Sequence, residues 1–218
     1  IPIDGEVLVS AAEQILRATE KATEQFYTLN ENSADPGGTI NHVLWSDAFT
    51  CPECAKEIVF WQVAGGEDGE IADEFPCPSC GALLTKRKME RRWATHMDRS
   101  LKRLIKQAVQ LPVRISYTVR GKRHERDATV SERNVIVAQQ NEVIKDWHPV
   151  DELPNGFNTS QPKNSHGLTH VHHFYTREGL SELSKYWSLT ASAPDRVRKG
   201  LMLAHTAASP YVSKLRRF

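Results

Sequence analysis

Cys51, Cys54, Cys77 and Cys80 are all the cysteines of the chain, and they fall as two C-x-x-C pairs with 22 residues between them. A two-residue spacer lets both thiolates of one tight turn face a single ion, and two such turns complete a tetrahedral four-thiolate site of the kind that holds structural zinc. The spacing suits a zinc ribbon, in which each pair sits on a short β-hairpin and the ion replaces much of a hydrophobic core. Pro52 and Pro78 preset φ inside the spacers, and Gly81 can take the left-handed conformation that turns backbone amides toward sulfur. Ala55 stands in the equivalent place after the first pair, which makes that knuckle the less ideal one. Two disulfides would need an oxidising compartment, and a redox pair would need a thioredoxin-like βαβ context. Neither a signal peptide, a secreted-domain composition nor a βαβ pattern accompanies these cysteines. Four thiolates leave no coordination place for water, so the site is expected to hold a shape and not to perform chemistry.

A second group with chemical potential is His166, His170, His172 and His173. On a strand His170 and His172 share a face, which suits a metal, with His166 close by. No carboxylate sits inside this stretch, however, whereas a catalytic zinc site brings a general base. A second metal, hydrogen-bonded or stacking histidines, and a nucleic-acid or substrate contact all remain open from the sequence. Asp35-Pro36-Gly37-Gly38 has no strand before it and no Gly-Lys-Ser/Thr after it, so it reads as a plain loop and not a phosphate loop.

The charge pattern narrows the partners. Net charge is only +1 over 218 residues, which gives no bulk attraction to nucleic acid, but the distribution is uneven. Glu53, Glu57, Glu67, Asp68, Glu70, Asp73 and Glu74 face a lone Lys56, whereas 86–126 carries half of the 28 Lys and Arg. An acidic loop is thus followed by a basic segment.

The elements that must position these groups follow from periodicity. Leu8, Ala11, Ile15, Ala18, Ala22 and Phe26 predict an amphipathic helix over 4–27, with Asp4 as N-cap. Ile40–Trp45 and Ile58–Trp61 read as strands entering and leaving the first knuckle, their aromatics covering the metal and not stacking on bases. Met89, Trp93, Met97, Leu101, Leu104, Ile105 and Ala108 predict a helix over 86–110. Lys86, Arg87, Lys88, Arg91 and Arg92 would crowd its start, against the helix dipole, which hints at an anionic partner such as phosphate. After Pro112, residues 113–119 alternate as a strand, and Arg120-Gly121-Lys122-Arg123 turns into a second strand ending near Asp127. A short helix capped by Ser131 follows, then a long linker over 151–167, a histidine-bearing strand, and two helices beginning after Thr176 and at Pro194.

Leu44-Trp45-Ser46-Asp47-Ala48-Phe49-Thr50 before the first knuckle, Glu57–Trp61 after it, Asp73–Ala82, Leu84–Arg87 and Thr169–Thr176 together resemble the zinc-ribbon-bearing prokaryotic site-specific DNA methylases of the amino-methylating class, which act on N4 of cytosine or N6 of adenine. In that family an S-adenosylmethionine loop of the type Asp-Pro-Phe-Cys-Gly-Ser-Gly lies upstream, and a catalytic Asp/Asn-Pro-Pro-Tyr/Phe lies downstream. Neither is present; Asp35–Gly38 and Leu153–Gly156 match neither. The chain opens on Ile1 without an initiator Met and stops on an uncapped apolar and basic tail. The resemblance therefore implies the segment between the two motifs, where the target-recognition region is inserted, with S-adenosylmethionine bound elsewhere in the parent. It carries over the four cysteines and no catalytic residue.

The resulting expectations are an α+β fold divided as 1–39 helix and loop, 40–85 ribbon, 86–150 basic helix and hairpin, 151–167 linker, and 168–218 histidine strand and terminal helices. The function is a non-catalytic, zinc-binding target-recognition segment that contacts double-stranded DNA and the parent's catalytic domain in the cytoplasm, with no membrane association. The alternative is a structural insert without DNA contact. Lys86, Arg87, Lys88, Arg91 and Arg92 are candidates for phosphate, and Arg120, Lys122 and Arg123 for a groove; these rest on charge and placement.

Overall fold

The computed structural model describes residues 4–66 and 70–214. Glu67 and Asp68 of the acidic loop and the tail 215–218 lie outside the described residues. Among the described residues the fold is α+β, about 41% helix and 26% strand, with six helices and small antiparallel sheets.

α1 (Gly5–Tyr27) starts where expected, with the Asp4 carboxylate accepting from the amides of Glu6 and Val7. Its buried stripe drifts from the expected one. Val7, Leu8, Ala11, Ala12 and Ile15 pack on α6 (Asp195–Val212), but the next buried positions are Thr19 and Thr23, not Ala18 and Ala22. Each threonine hydroxyl donates to the carbonyl four residues earlier, which satisfies it and lets its methyl serve as core. α5 (Arg177–Ala191) completes this helical layer, and Tyr27 donates to Glu182 across the α1–α5 contact.

β1 (Thr39–Thr50) is the spine. Its first part pairs with β8 (Gln110–Val119), and β8 pairs with β9 (Lys122–Asp127) through the expected turn at Arg120-Gly121. Its last residues pair with β2 (Glu57–Val59) on one side and β5 (Glu90–Arg91) on the other. The strand run predicted to continue through Trp61 instead becomes a short helix, α2 (Phe60–Ala64). β3 (Phe75–Pro76) and β4 (Leu83–Leu84) form the second knuckle hairpin. One core thus gathers around the cysteines, with Phe49, Ile58, Phe60, Phe75, Leu84 and Met89; another lies between the sheet and α3 (Val130–Gln139), with Leu29, Ile40, Ile115, Tyr117 and Ile136.

The stretch from 86 to 175 departs furthest from the sequence expectations. The basic helix over 86–110 does not form: 85–88 is a turn, followed by β5, β6 (Trp93–Asp98) and β7 (Arg103–Ala108), the last two a separate two-stranded ribbon. Its apolar residues fit steps of three and four but also a period of two, and the turn signal Asp98-Arg99-Ser100 decides between them. The Asp98 carboxylate accepts from the amides of Ser100 and Leu101, closing a turn that a helix could not contain. The helix-dipole argument for a phosphate site therefore lapses. The linker over 151–167 contains α4 (Phe157–His166), whose sequence has almost no apolar face; Pro162 is its buried residue. Gly167 ends α4 at a φ of 69° with its backbone against Lys106 and Gln107 of β7, where no Cβ would fit. The histidine strand is instead a 3₁₀ turn, Val171–Phe174.

The N-cap of α3 is Thr129 and not Ser131, and with Glu132 it forms a capping box. Glu132 is 3% exposed and also takes both Arg126 Nη atoms at 2.8 Å. Hydrogen bonds from Arg126, opposed by burial and aided by Ser33 and Thr129, hold its carboxyl at about 2, below its ordinary 4.5. Because the folded value is depressed, this stabilisation is complete above about 4.5 and is lost as pH falls toward 2. Urea unfolding of Glu132→Ala should show a loss of about 3–5 kcal/mol at neutral pH, since Arg126 is left partly buried without its partner. The same titrations should give Glu132→Gln a shallower fall in stability than the unsubstituted chain between those two pH values.

Candidate metal centre

The two knuckles are built alike. Cys51 N donates to Lys56 O and Ala55 N to Cys51 O, both at 2.9 Å; Cys77 N donates to Ala82 O at 2.8 Å and Gly81 N to Cys77 O at 2.9 Å. Each is a tight turn closed by a residue with positive φ, 58° at Ala55 and 74° at Gly81. The structure thus brings together all four sequence-predicted cysteines, and their sulfurs lie within 4.8 Å of one another.

Cys51 Sγ and Cys80 Sγ are 3.9 Å apart, and Cys54 Sγ and Cys77 Sγ 3.8 Å. A tetrahedron with bonds of about 2.3 Å to zinc has an edge of about 3.8 Å, whereas a disulfide needs about 2.05 Å. The cysteines are free, and the cluster can hold a metal ion such as zinc. Backbone amides of Cys80 and Ser79 aimed at Cys77 bring its thiol down to about 7. At Cys80 the Ala82 amide acts in the same direction, but burial and the three neighbouring thiols outweigh it and push the group up to about 12. Four sulfurs this close cannot all ionise unaided, and a dication removes that conflict. Phe49, Phe60 and Phe75 meet edge to face with centroids 5.8–5.9 Å apart, in the same core as Cys51 and Cys77. Of the flanking aromatics expected to cover the centre, Phe60 does so, whereas Trp45 packs on the other core; Phe49 and Phe75 complete the cover.

The histidines form a different kind of centre. Asp98, missed in the sequence because it lies 74 residues from His172, supplies the absent carboxylate: its Oδ2 is 2.8 Å from His172 Nε2 and 2.9 Å from His173 Nε2. The three ligand atoms lie close enough for an ion, but the hydrogen bonds argue for protons. Thr169 N donates to His173 Nδ1 at 3.1 Å, which uses the ring's lone pair and leaves Nε2 protonated and donating to Asp98. Arg103 Nη2 likewise occupies His170 Nε2 at 3.2 Å. Burial lowers His173 to about 4 and also lowers His172, so both rings are neutral near pH 7. The group is a clamp that fixes the tip of the β6–β7 ribbon to the 3₁₀ turn; Ser100 adds a 2.8 Å bond to His148 Nε2. His166 stands apart, 3.4 Å from Asp47.

The eight basic candidates separate by what they already touch. Arg91 is engaged inside the fold, 3.1 Å from Asp47 and from Ser165 O. Burial alone would raise Asp47, but hydrogen bonds from His166 and Gln110 and the charge of Arg91 hold it at about 2. Arg92 pairs with Glu57, Arg123 donates to Ser116 Oγ at 2.9 Å, and Lys86 lies 4.3 Å over the Phe60 ring. Arg87, Lys88, Arg120 and Lys122 are exposed with no ion pair among the described residues. The ribbon adds Arg99 and Lys102 to that exposed group, and Lys106, whose Nζ lies 5.7 Å from the Trp93 ring. A cleft of about 1580 Å³ between the helices and the inner face of the ribbon has a mixed lining, with Glu20, Glu24, Glu178 and Glu182 beside Arg17, Lys21, Arg177 and Lys214.

Ala55 gives a direct check on the knuckle geometry. A non-glycine residue at positive φ carries a strain of about 1 kcal/mol, so Ala55→Gly should raise stability by up to about that amount in the metal-loaded protein. Paired denaturation curves will show it, and a destabilised variant would contradict the left-handed conformation at this position. Compared with protein-family models, with curated proteins and with solved structures, the chain matches none.

Proposed function

We propose that the chain is a zinc-stapled, non-catalytic segment that grips double-stranded DNA, the target-recognition part of an S-adenosylmethionine-dependent DNA methylase. The observation that carries the DNA reading is a group of exposed cations on the β6–β7 ribbon and in two turns. Arg87, Lys88, Arg99, Lys102, Lys106, Arg120 and Lys122 stand in solvent without ion pairs among the described residues, while Asp47, Asp98 and Glu132 are turned inward and satisfied. Unpaired surface cations suit phosphates, whose neutralisation releases counterions.

The methylase parent is supported by the sequence strings around the knuckles. In that setting methyl transfer to the exocyclic amine of a flipped base belongs to neighbouring parts of the protein, and this segment supplies register and orientation on the duplex. Zinc is the ion we assign, because tetrathiolate ligation with no open position is its usual structural site. Thiols committed to a metal fit a reducing cytoplasm.

A structural insert that contacts only protein is the second reading. It is favoured by Phe157 and Leu203, 94% and 70% exposed, which have no business in solvent unless something covers them. Fluorescence anisotropy with a mixed-sequence duplex separates the two. DNA binding should weaken with salt on a log–log slope of about −3 or steeper, each neutralised phosphate adding about −0.9. A flat salt response, or no binding at low salt, would favour the protein-only insert.

A further inference from the structure

We infer that the β6–β7 ribbon is the element that enters a groove of the duplex, a conclusion that rests on the DNA reading above and names its recognition surface. The ribbon is separate from the main sheet: along Trp93–Asp98 and Arg103–Ala108 its strands pair only with each other. A free two-stranded ribbon is marginally stable, yet this one is fastened at both ends. At its base Arg92 N donates to Ala48 O and Val109 N to Arg92 O, both at 2.9 Å, and Ala48 N donates to Val109 O at 3.0 Å. At its tip Asp98 holds His172 and His173. The result is a rigid ribbon held at its tip by the histidines and at its base by Ala48 of β1, three residues before Cys51.

Its two faces differ. Cross-strand partners share a face, so Ala94, His96 and Asp98 with Gln107, Ile105 and Arg103 form one side, and Thr95 and Met97 with Lys106 and Leu104 form the other. The first side looks into the cleft, which Met97 of the other side also lines. On the second, Met97 and Leu104 stand directly opposite each other at 51% and 65% exposure, with Lys106 beside them and Arg99 and Lys102 in the turn. The only carboxylate between Trp93 and Ala108 is Asp98, buried on the other side. An apolar pair framed by three cations and no exposed acid complements a polyanion with an apolar interior. A two-stranded ribbon fits the width of the major groove, with Lys102 and Lys106 on phosphates and the Met97–Leu104 pair against base edges.

The test uses the whole chain, metal-loaded, with the same labelled duplex over a range of salt. Lys102→Ala/Lys106→Ala should weaken binding and make the salt slope shallower by about 1.8, two contacts at about 0.9 each. Met97→Ser/Leu104→Ser should weaken binding at every salt concentration with the slope unchanged, the mark of a contact inside the groove. All four side chains are solvent-exposed, and unchanged circular dichroism and zinc content certify the fold of each variant. Arg120→Ala/Lys122→Ala, in the β8–β9 turn, serves as comparison. If the unsubstituted chain binds, but both ribbon variants keep its affinity and slope while the turn variant loses them, the ribbon inference is overturned and the DNA reading stands. If only the serine variant is neutral, the apolar pair faces something other than DNA and the groove placement is overturned. If the unsubstituted chain does not bind at low salt, the DNA reading falls and takes the ribbon with it.

Discussion

Four sulfurs held within 4.8 Å of one another are the constraint on which the rest of the molecule depends. Around them the hairpins are minimal: β3 and β4 have two residues each and β2 has three. Strands that short cannot nucleate a sheet, and the apolar cluster beside them counts Cys51 and Cys77 among its nine buried members. A cation held by the four thiolates would add cohesion here, in the same way that metal binding doubles as folding energy in other small thiolate domains. Because Cys51 directly follows β1, the register of β1, and through it of β8, β5 and the base of the ribbon, is set by where the cysteines are held.

Three carboxylates turned into the fold organise turns and crossings: Asp98 closes the ribbon turn and receives two histidines, Glu132 caps α3 and takes Arg126, and Asp47 receives Arg91, Gln110 and His166. Each gathers several donors, which is what makes a buried carboxylate tolerable. Among the exposed cations, Arg99, Lys102 and Lys106 lie on the ribbon, Arg87 and Lys88 in the turn before β5, and Arg120 and Lys122 in the β8–β9 turn. The near-zero net charge of the chain conceals this arrangement, since attraction to a polyanion depends on local and not total charge.

How much of this was legible in the sequence varied with the physical signal. The metal ligands, α1 with its Asp4 cap, and the β8–β9 hairpin each leave a local signature in spacing, capping chemistry or alternation. The ribbon did not, because Met89, Trp93, Met97 and Leu104 satisfy helical steps as well as strand alternation, and the deciding interaction is one carboxylate folding back on Ser100 and Leu101. α4 was hidden for the opposite reason: it has no apolar stripe to detect, and is held by Lys163 donating to Leu153 O and by Gly167 packed on β7. The histidine clamp joins residues far apart in the chain, so its carboxylate could not be paired with them by spacing. The only sign was a lone acid, Asp98, at a turn in an otherwise basic stretch.

The central claim, that one cation folds the zinc ribbon and through β1 positions the basic β6–β7 ribbon, is tested most directly by backbone hydrogen exchange on the metal-loaded and chelator-stripped protein, with metal content measured on both. The account expects one zinc per chain, and on its removal a loss of protection across Cys51–Leu84 that extends into Trp93–Ala108 while α1 and α5 stay protected. Unchanged protection in both regions without metal would contradict it.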